Sequence, residues 1–271
     1  MPMNIAHHLI AFISATVVAI NLAFWLIWLM LLALLKLIFR NDPIRHWINL
    51  GTEWCYRRTV GVHNFWMFQV VGVRLHVTGE LPDHPSPIIL SNHQTWMDIP
   101  VLHGVITKKG PTLKFLIKRE LLWVPIIGWI CYALSFPRLN RGKGSGGKTK
   151  DFAAIQAFSS SLHTERGALM NFAEGTRFTE QKHENQNSPY QHLLVPRPGG
   201  LKIALETAPA GTPVIDVTVV YDGPRNFWQC LGGRTKDIKV VIRTYDSSEI
   251  LNVRSWLDAR WQEKDKFFEA P

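Results

Sequence analysis

Residues 88–100 read IILSNHQTWMDIP: an apolar run, a polar stretch carrying a histidine, then Asp-Ile-Pro. That order is the pattern of a buried strand, a turn and the start of a helix. Proline is tolerated in a first helical turn and nowhere deeper, so Pro100 places the helix start just before it. His93 and Asp98 are five residues apart, which on one continuous helix sets them about 140° from each other. They meet only if His93 lies on the turn ahead of the helix. A carboxylate in the first turn is favoured by the helix dipole and holds one imidazole nitrogen while the other is free to take a proton. The pair has no nucleophile of its own: Ser91 and Thr95 are close, but neither sits in a G-x-S-x-G elbow. The attacking hydroxyl then has to come from the substrate. In isolation, a capping Asp beside a surface His accounts for the same residues.

Outward from this stretch the chain alternates. From Val70 on, short apolar or β-branched runs are separated by helical patterns, the rhythm of an α/β fold with a mixed sheet flanked by helices. Strands are expected at Val73 to Thr78, Pro87 to Leu90, Leu113 to Ile117, Leu134 to Arg138, Ala168 to Phe172, Val214 to Tyr221 and Ile238 to Tyr245. Helices are expected at Trp96 to Ile106, Pro125 to Leu134, Lys150 to His163, Gly199 to Thr207 and Val253 to Phe268. Leu121 to Pro137 is uncharged for 17 residues; its length and Pro125 and Gly128 favour a buried helix leading into a strand over a membrane span.

Two further groups of polar residues follow apolar strands. Glu174, Gly175, Thr176 and Arg177 put a carboxylate, a flexible turn, a hydroxyl and a guanidinium at one strand's end. Arginine offers a fixed fork of donors suited to a phosphate, and glycine lets backbone amides approach it. A Glu paired with an Arg across a tight turn is the structural alternative. Lys118 and Arg119 precede the apolar stretch Leu121 to Trp129, and Arg138 and Arg141 close the next strand, so both groups of cations are able to face one anionic headgroup. Surface solvation is the default reading for either group.

Together and in this order, these motifs resemble the glycerolipid acyltransferases of the H-x4-D type, the family of lysophosphatidic acid acyltransferases. The resemblance covers roughly Val73 to Val220. The form EGTRFTEQKH, followed by QHLLVPRPGGLK at Gln191 to Lys202, looks most like the lysophosphatidate and lysocardiolipin branch. It implies a general base at His93 oriented by Asp98, and acceptor-phosphate binding by Glu174, Gly175, Thr176 and Arg177. It also implies that Lys118 and Arg141 fall where that family has basic residues, and that Pro213 opens its last block. Ala173 departs from the proline that many members carry before E-G-T-R. The implied reaction is direct acyl transfer: His93 takes the proton of a lysophospholipid hydroxyl, which attacks an acyl thioester, and thiolate leaves. The donor is acyl-CoA or acyl carrier protein, and no metal or prosthetic group is needed.

The first 40 residues bound the location. Leu9 to Leu35 is 27 residues without a charge, about 40 Å as a helix, longer than a hydrocarbon core of about 30 Å. Met1 to His8 has no Lys or Arg, and the run is too long for a cleaved signal. It is apolar all round apart from Ser14, Thr16 and Asn21, unlike a core helix. Lys36, Arg40, Arg45, Arg57 and Arg58 follow it, a bias that places the rest of the chain in the cytoplasm. A membrane helix at residues 1–40, an amphipathic, membrane-associated segment at 41–72 and a catalytic domain at 73–271 are therefore expected. The expected setting is a bacterial inner membrane. Five of eleven Trp, at 25, 28, 47, 54 and 66, fall where headgroups would lie, and Trp47 to Val73 reads as an amphipathic stretch interrupted by Arg57, Arg58 and Gly61. Cys55, Cys131 and Cys230 are scattered without metal spacing and read as buried apolar fillers.

Two other functions compete. Gly142 to Thr149, GKGSGGKT, matches the nucleotide-binding loop G-x-x-x-x-G-K-[ST], with Lys148 for phosphates, Thr149 for Mg²⁺ and Asp222 as a metal-side acid. It explains one motif where acyl transfer explains three. A basic, non-catalytic membrane scaffold or a nucleic-acid binder is compatible with 30 Lys+Arg against 21 Asp+Glu, a net charge of +9. The cations are spread among apolar strands, however, and no nucleic-acid recognition module is present. An apolar share of 46% excludes a disordered chain.

Overall fold

The structure, a computed structural model, describes residues 3–39, 41–108, 110–124, 126–134, 136–139, 153, 156 and 167–269. The strands are β1 (Arg74–Thr78), β2 (Ile88–Ser91), β3 (Thr112–Phe115), β4 (Ile117–Lys118), β5 (Arg138–Leu139), β6 (Gly167–Phe172), β7 (Pro213–Asp222) and β8 (Asp237–Asp246). Six of them form one mixed sheet in the order β1-β8-β7-β2-β6-β3. β3, β6, β2 and β7 run parallel, whereas β8 returns antiparallel to β7. The parallel strands therefore end on one edge, where ligands of open α/β sheets bind.

Strand residues alternate between two apolar layers. Ile89, Met170, Ile215 and Val217 face one core, while Ile88, Leu90, Leu169 and Val214 face another, completed by Leu201, Ala204, Leu257 and Trp261. Those last four lie on α6 (Pro198–Thr207) and α8 (Val253–Lys266). The remaining helices are α1 (Ile5–Ile38), α2 (Asp42–Phe65), α3 (Asp98–Leu102), α4 (Ile127–Ala133), α5 (Glu180–Gln186) and α7 (Phe227–Leu231).

α1 and α2 form an antiparallel hairpin. Lys36 Nζ donates to Asn49 Oδ1 (2.8 Å), Asn21 Nδ2 to Thr59 O (3.0 Å) and Trp66 Nε1 to Ser14 Oγ (2.9 Å). The polar residues inside the apolar run thus have definite work: Ser14 and Asn21 are buried at helix contacts, and Thr16 Oγ1 caps its own helix at Phe12 O. Both helices of the hairpin touch the sheet-bearing body at its open end. Ser14 Oγ donates to Leu231 O and Trp228 Nε1 lies 3.1 Å from His8 Nδ1, while Tyr56 OH donates to Leu113 O and Arg57 Nη1 to Thr107 O. At the other end of the hairpin Leu37, Ile38, Phe39 and Trp47 are exposed. Among the described residues α1 is the one helix long and apolar enough to cross a membrane.

Several expectations are corrected. The stretch from Trp47 is not interrupted at Gly61: α2 is continuous to Phe65 and passes into a π-turn at Trp66–Val70. The expected strand Leu113 to Ile117 is broken at Leu116, because Ile117 leaves the main sheet to pair with Arg138. Among the described residues of Leu134 to Arg138, only Arg138 is in a strand. Leu121 to Pro137 holds a 3₁₀ turn and the short α4, whose Trp129 and Tyr132 are exposed, so it is neither a span nor a fully buried helix. Of Lys150 to His163, Ala153 and Gln156 are helical, and the rest lies outside the described residues, as do Arg141 and Gly142 to Thr149. All three cysteines are buried.

Candidate active site

The turn after β2 is built by its own side chains. Asn92 reaches across to β7, donating from Nδ2 to Val219 O and accepting at Oδ1 from Val219 N–H, both at 2.9 Å. It pairs as a strand residue would and so anchors the turn where pairing stops. Asp98 is the first residue of α3 and is fully buried. Its Oδ2 accepts from His93 Nδ1 (2.7 Å), Gln94 N (2.7 Å) and Thr95 N (3.0 Å), and its Oδ1 from Tyr221 OH (2.6 Å). Burial, reinforced by the Asp98 charge, pushes the Tyr221 phenol well above its ordinary range, so it remains a donor.

His93 therefore sits on the turn ahead of the helix, as its spacing requires. With Nδ1 committed to a carboxylate, the tautomer inferred from the geometry leaves Nε2 as the acceptor. Nε2 has no partner among the described residues, and the side chain is 12% exposed. The ring stacks on Phe172, centroids 3.8 Å apart at 10°, which fixes its plane. A held, oriented imidazole with an open nitrogen is the arrangement of a general base.

Phe172 ends β6, beside Ser91 in register. The chain then turns through Gly175, whose φ of +71° suits glycine. Ala173, where many proteins of the resembled family carry proline, donates its N–H to Ser91 O (3.2 Å), a bond proline lacks the hydrogen to make. Phe178 N–H donates to His93 O (2.8 Å), tying the two turns together. Glu174 and Arg177 lie on opposite sides of this turn. Glu174 is fully buried, and neither carboxylate oxygen makes a hydrogen bond within normal geometry. Burial and then the Asp98 charge raise its pKa well above the carboxylate range, against the His93 backbone, the Trp261 indole and Lys264. Arg177 is exposed, its guanidinium carbon 4.5 Å from the Trp96 ring centroid. The two do not pair across the turn. Thr176 Oγ1 accepts from Lys182 Nζ (3.0 Å).

Lys118 ends β4, which pairs with β5 outside the main sheet. Sequence reasoning missed Gln94, Trp96, Phe172, Tyr221 and Arg225, which complete the surroundings of the base. Gln94 and Trp96 stood inside the His-Asp spacing, where polar and aromatic residues next to a candidate base were a usable signal.

A family model described as acyltransferase matches residues 72–222. The chain belongs to the acyltransferase family. Relatives include 1-acyl-sn-glycerol-3-phosphate acyltransferase gamma of Mus musculus, 29% identical over 171 residues covering 58% of this chain and 45% of the relative. The delta protein of Bos taurus is 28% identical over 206 residues, 68% of this chain and 52% of that one. The chain spans about half the length of these curated relatives. The crystal structure of the 1-acyl-sn-glycerophosphate (LPA) acyltransferase PlsC from Thermotoga maritima superposes with a TM-score of 0.59 at 18% identity, covering 99% of this chain and 97% of that one. At that identity the likeness is one of fold.

Proposed function

We propose that this acyltransferase moves a fatty acyl group from an acyl thioester, acyl-CoA or acyl carrier protein, to the free hydroxyl of a lysophospholipid, with 1-acyl-sn-glycerol 3-phosphate as acceptor. The observation that carries the reading is His93, with Nδ1 held by a buried, four-fold bonded Asp98 and Nε2 open. His93 Nε2 takes the proton of the acceptor hydroxyl as its oxygen attacks the thioester carbonyl; the C–S bond breaks, and the thiolate is protonated by the imidazolium. A thioester has a good leaving group, so no covalent enzyme intermediate is needed. Arg177 grips the acceptor phosphate on the outer side of its turn, with Gly175 and Thr176 shaping the turn and Glu174 supporting it from the interior. Lys118 and Arg141 are the further cations assigned to phosphate binding on this reading.

The hairpin of α1 and α2 anchors the enzyme to a membrane. Its exposed apolar turn enters the lipid, and both its helices return to the catalytic body. This favours a hairpin that enters and leaves on the cytoplasmic face over a helix that crosses.

The test is an acylation assay on the purified protein with a panel of lysolipids and both donor types. His93→Ala is expected to lower transfer about 10²- to 10⁴-fold while leaving membrane association intact. Full activity in that variant would overturn the mechanism.

A further inference from the structure

Two guanidinium groups are held by the turn that carries His93, and one of them belongs to none of the motifs above. Arg225 lies in the segment between β7 and α7. Its Nη1 donates to Gln94 Oε1 at 2.5 Å, and its guanidinium carbon is 5.0 Å from the Phe178 ring centroid. Gln94 follows His93 directly, and Phe178 follows Arg177. Arg177 rests in turn on Trp96. Gln94 and Trp96, one residue apart in the same turn, thus each seat one arginine. Phe178, whose N–H is bonded to His93 O, ties the second turn to the first.

The charge on Arg225 lacks an obvious internal purpose. The residue is partly buried, yet it has no carboxylate within 4.0 Å among the described residues, and Glu180 acts on it only from further away. Charged groups withdrawn from water are normally paired. One of its five N–H donors is spent on Gln94. The rest of the fork is available to an anion of matching shape, and phosphate is the anion a planar guanidinium fits in bidentate fashion.

We propose that Arg225 is the second arm of a phosphate clamp whose first arm is Arg177, closing on a phosphate group carried by one of the two substrates. The inference rests on the acyl-transfer reading and adds to it a binding residue from the C-terminal third of the chain. The phosphate is that of the acceptor headgroup or one of those on acyl-CoA.

Steady-state kinetics on the full chain, varying lysophosphatidic acid and acyl-CoA in turn, separate these sources. Arg225→Gln is expected to raise KM for one substrate by about tenfold or more, the loss typical of a charged hydrogen-bonding partner. The change in kcat should stay within about threefold, and Arg225→Lys should recover part of the affinity. Inorganic phosphate should compete with the affected substrate in the wild type and less well in Arg225→Gln. A rise confined to lysophosphatidic acid assigns the clamp to the headgroup, and one confined to acyl-CoA assigns it to the donor. Unchanged KM for both substrates, or a fall in kcat alone, overturns the proposal and leaves Arg225 as a support for Gln94. If the wild type acylates no lysolipid, the acyl-transfer reading fails separately. Binding of inorganic phosphate to wild type and Arg225→Gln, measured by calorimetry, then still decides the clamp: equal affinities overturn it.

Discussion

Asp98 draws its four donors from very different distances along the chain. His93, Gln94 and Thr95 lie within five residues of it, while Tyr221 is 123 residues away. Of the local three, His93 was legible in the sequence, because a histidine five residues ahead of a first-turn aspartate has one way to reach it. Tyr221 was not: it closes a β-rich run whose pairing with β2 depends on the whole sheet. Its contribution is measurable. Tyr221→Phe leaves Asp98 Oδ1 buried without its donor, and an unsatisfied buried acceptor costs about 1–3 kcal/mol. We expect denaturant unfolding to show a loss of that size, with transfer activity reduced as well. A variant as stable and as active as wild type would show that the three local donors suffice.

At the scale of elements, composition alone revealed α1, since 27 uncharged residues admit few other readings. Its partner and direction were hidden, because they depend on two polar residues, Ser14 and Asn21, that looked like minor flaws in an apolar run. Ser14 is the clearest. Its hydroxyl donates to Leu231 O and accepts from Trp66 Nε1, joining α1, the end of α2 and α7. Ser14→Val strands both partners, and we expect a loss of about 1–3 kcal/mol together with faster proteolysis of residues 3–40 in detergent. An unchanged cleavage rate would mean that the helix is held by its apolar contacts alone. The π-turn at His103–Thr107 was equally invisible. It is braced by Tyr56 OH, 2.7 Å from His103 Nε2, and burial pushes the His103 pKa down to about 3, so the imidazole there is neutral.

For the molecule as a whole, the short α5 and α7 aside, the six strands of the main sheet and the helices α6 and α8 were legible, because runs of strand or helix period bounded by turns are a local signal. What lies beneath the site was not. Lys264 of α8 is fully buried, donating to Val217 O (2.7 Å) and Thr218 Oγ1 (3.1 Å) and paired with Asp216 (2.7 Å). A lysine in an amphipathic C-terminal helix gives no sign that it faces inward. The buried Glu174 makes stability depend on pH. Above the usual carboxylate range and below its raised pKa, Glu174 keeps a proton in the folded chain that the unfolded chain has lost. Stability contributed this way falls as pH rises through that window. In Glu174→Gln the thermal midpoint should fall less steeply than in wild type from about pH 5 to neutrality. Parallel curves would mean that Glu174 ionises freely in the fold.

The two helices of the α1–α2 hairpin come back to the same body, at Ser14 and His8 from one and at Tyr56 and Arg57 from the other. If the hairpin anchors the enzyme as proposed, acyl mass is added to the leaflet it sits in and none to the opposite one. A bilayer fed by it grows from a single side, and keeping its two areas equal falls to whatever carries the finished lipid across.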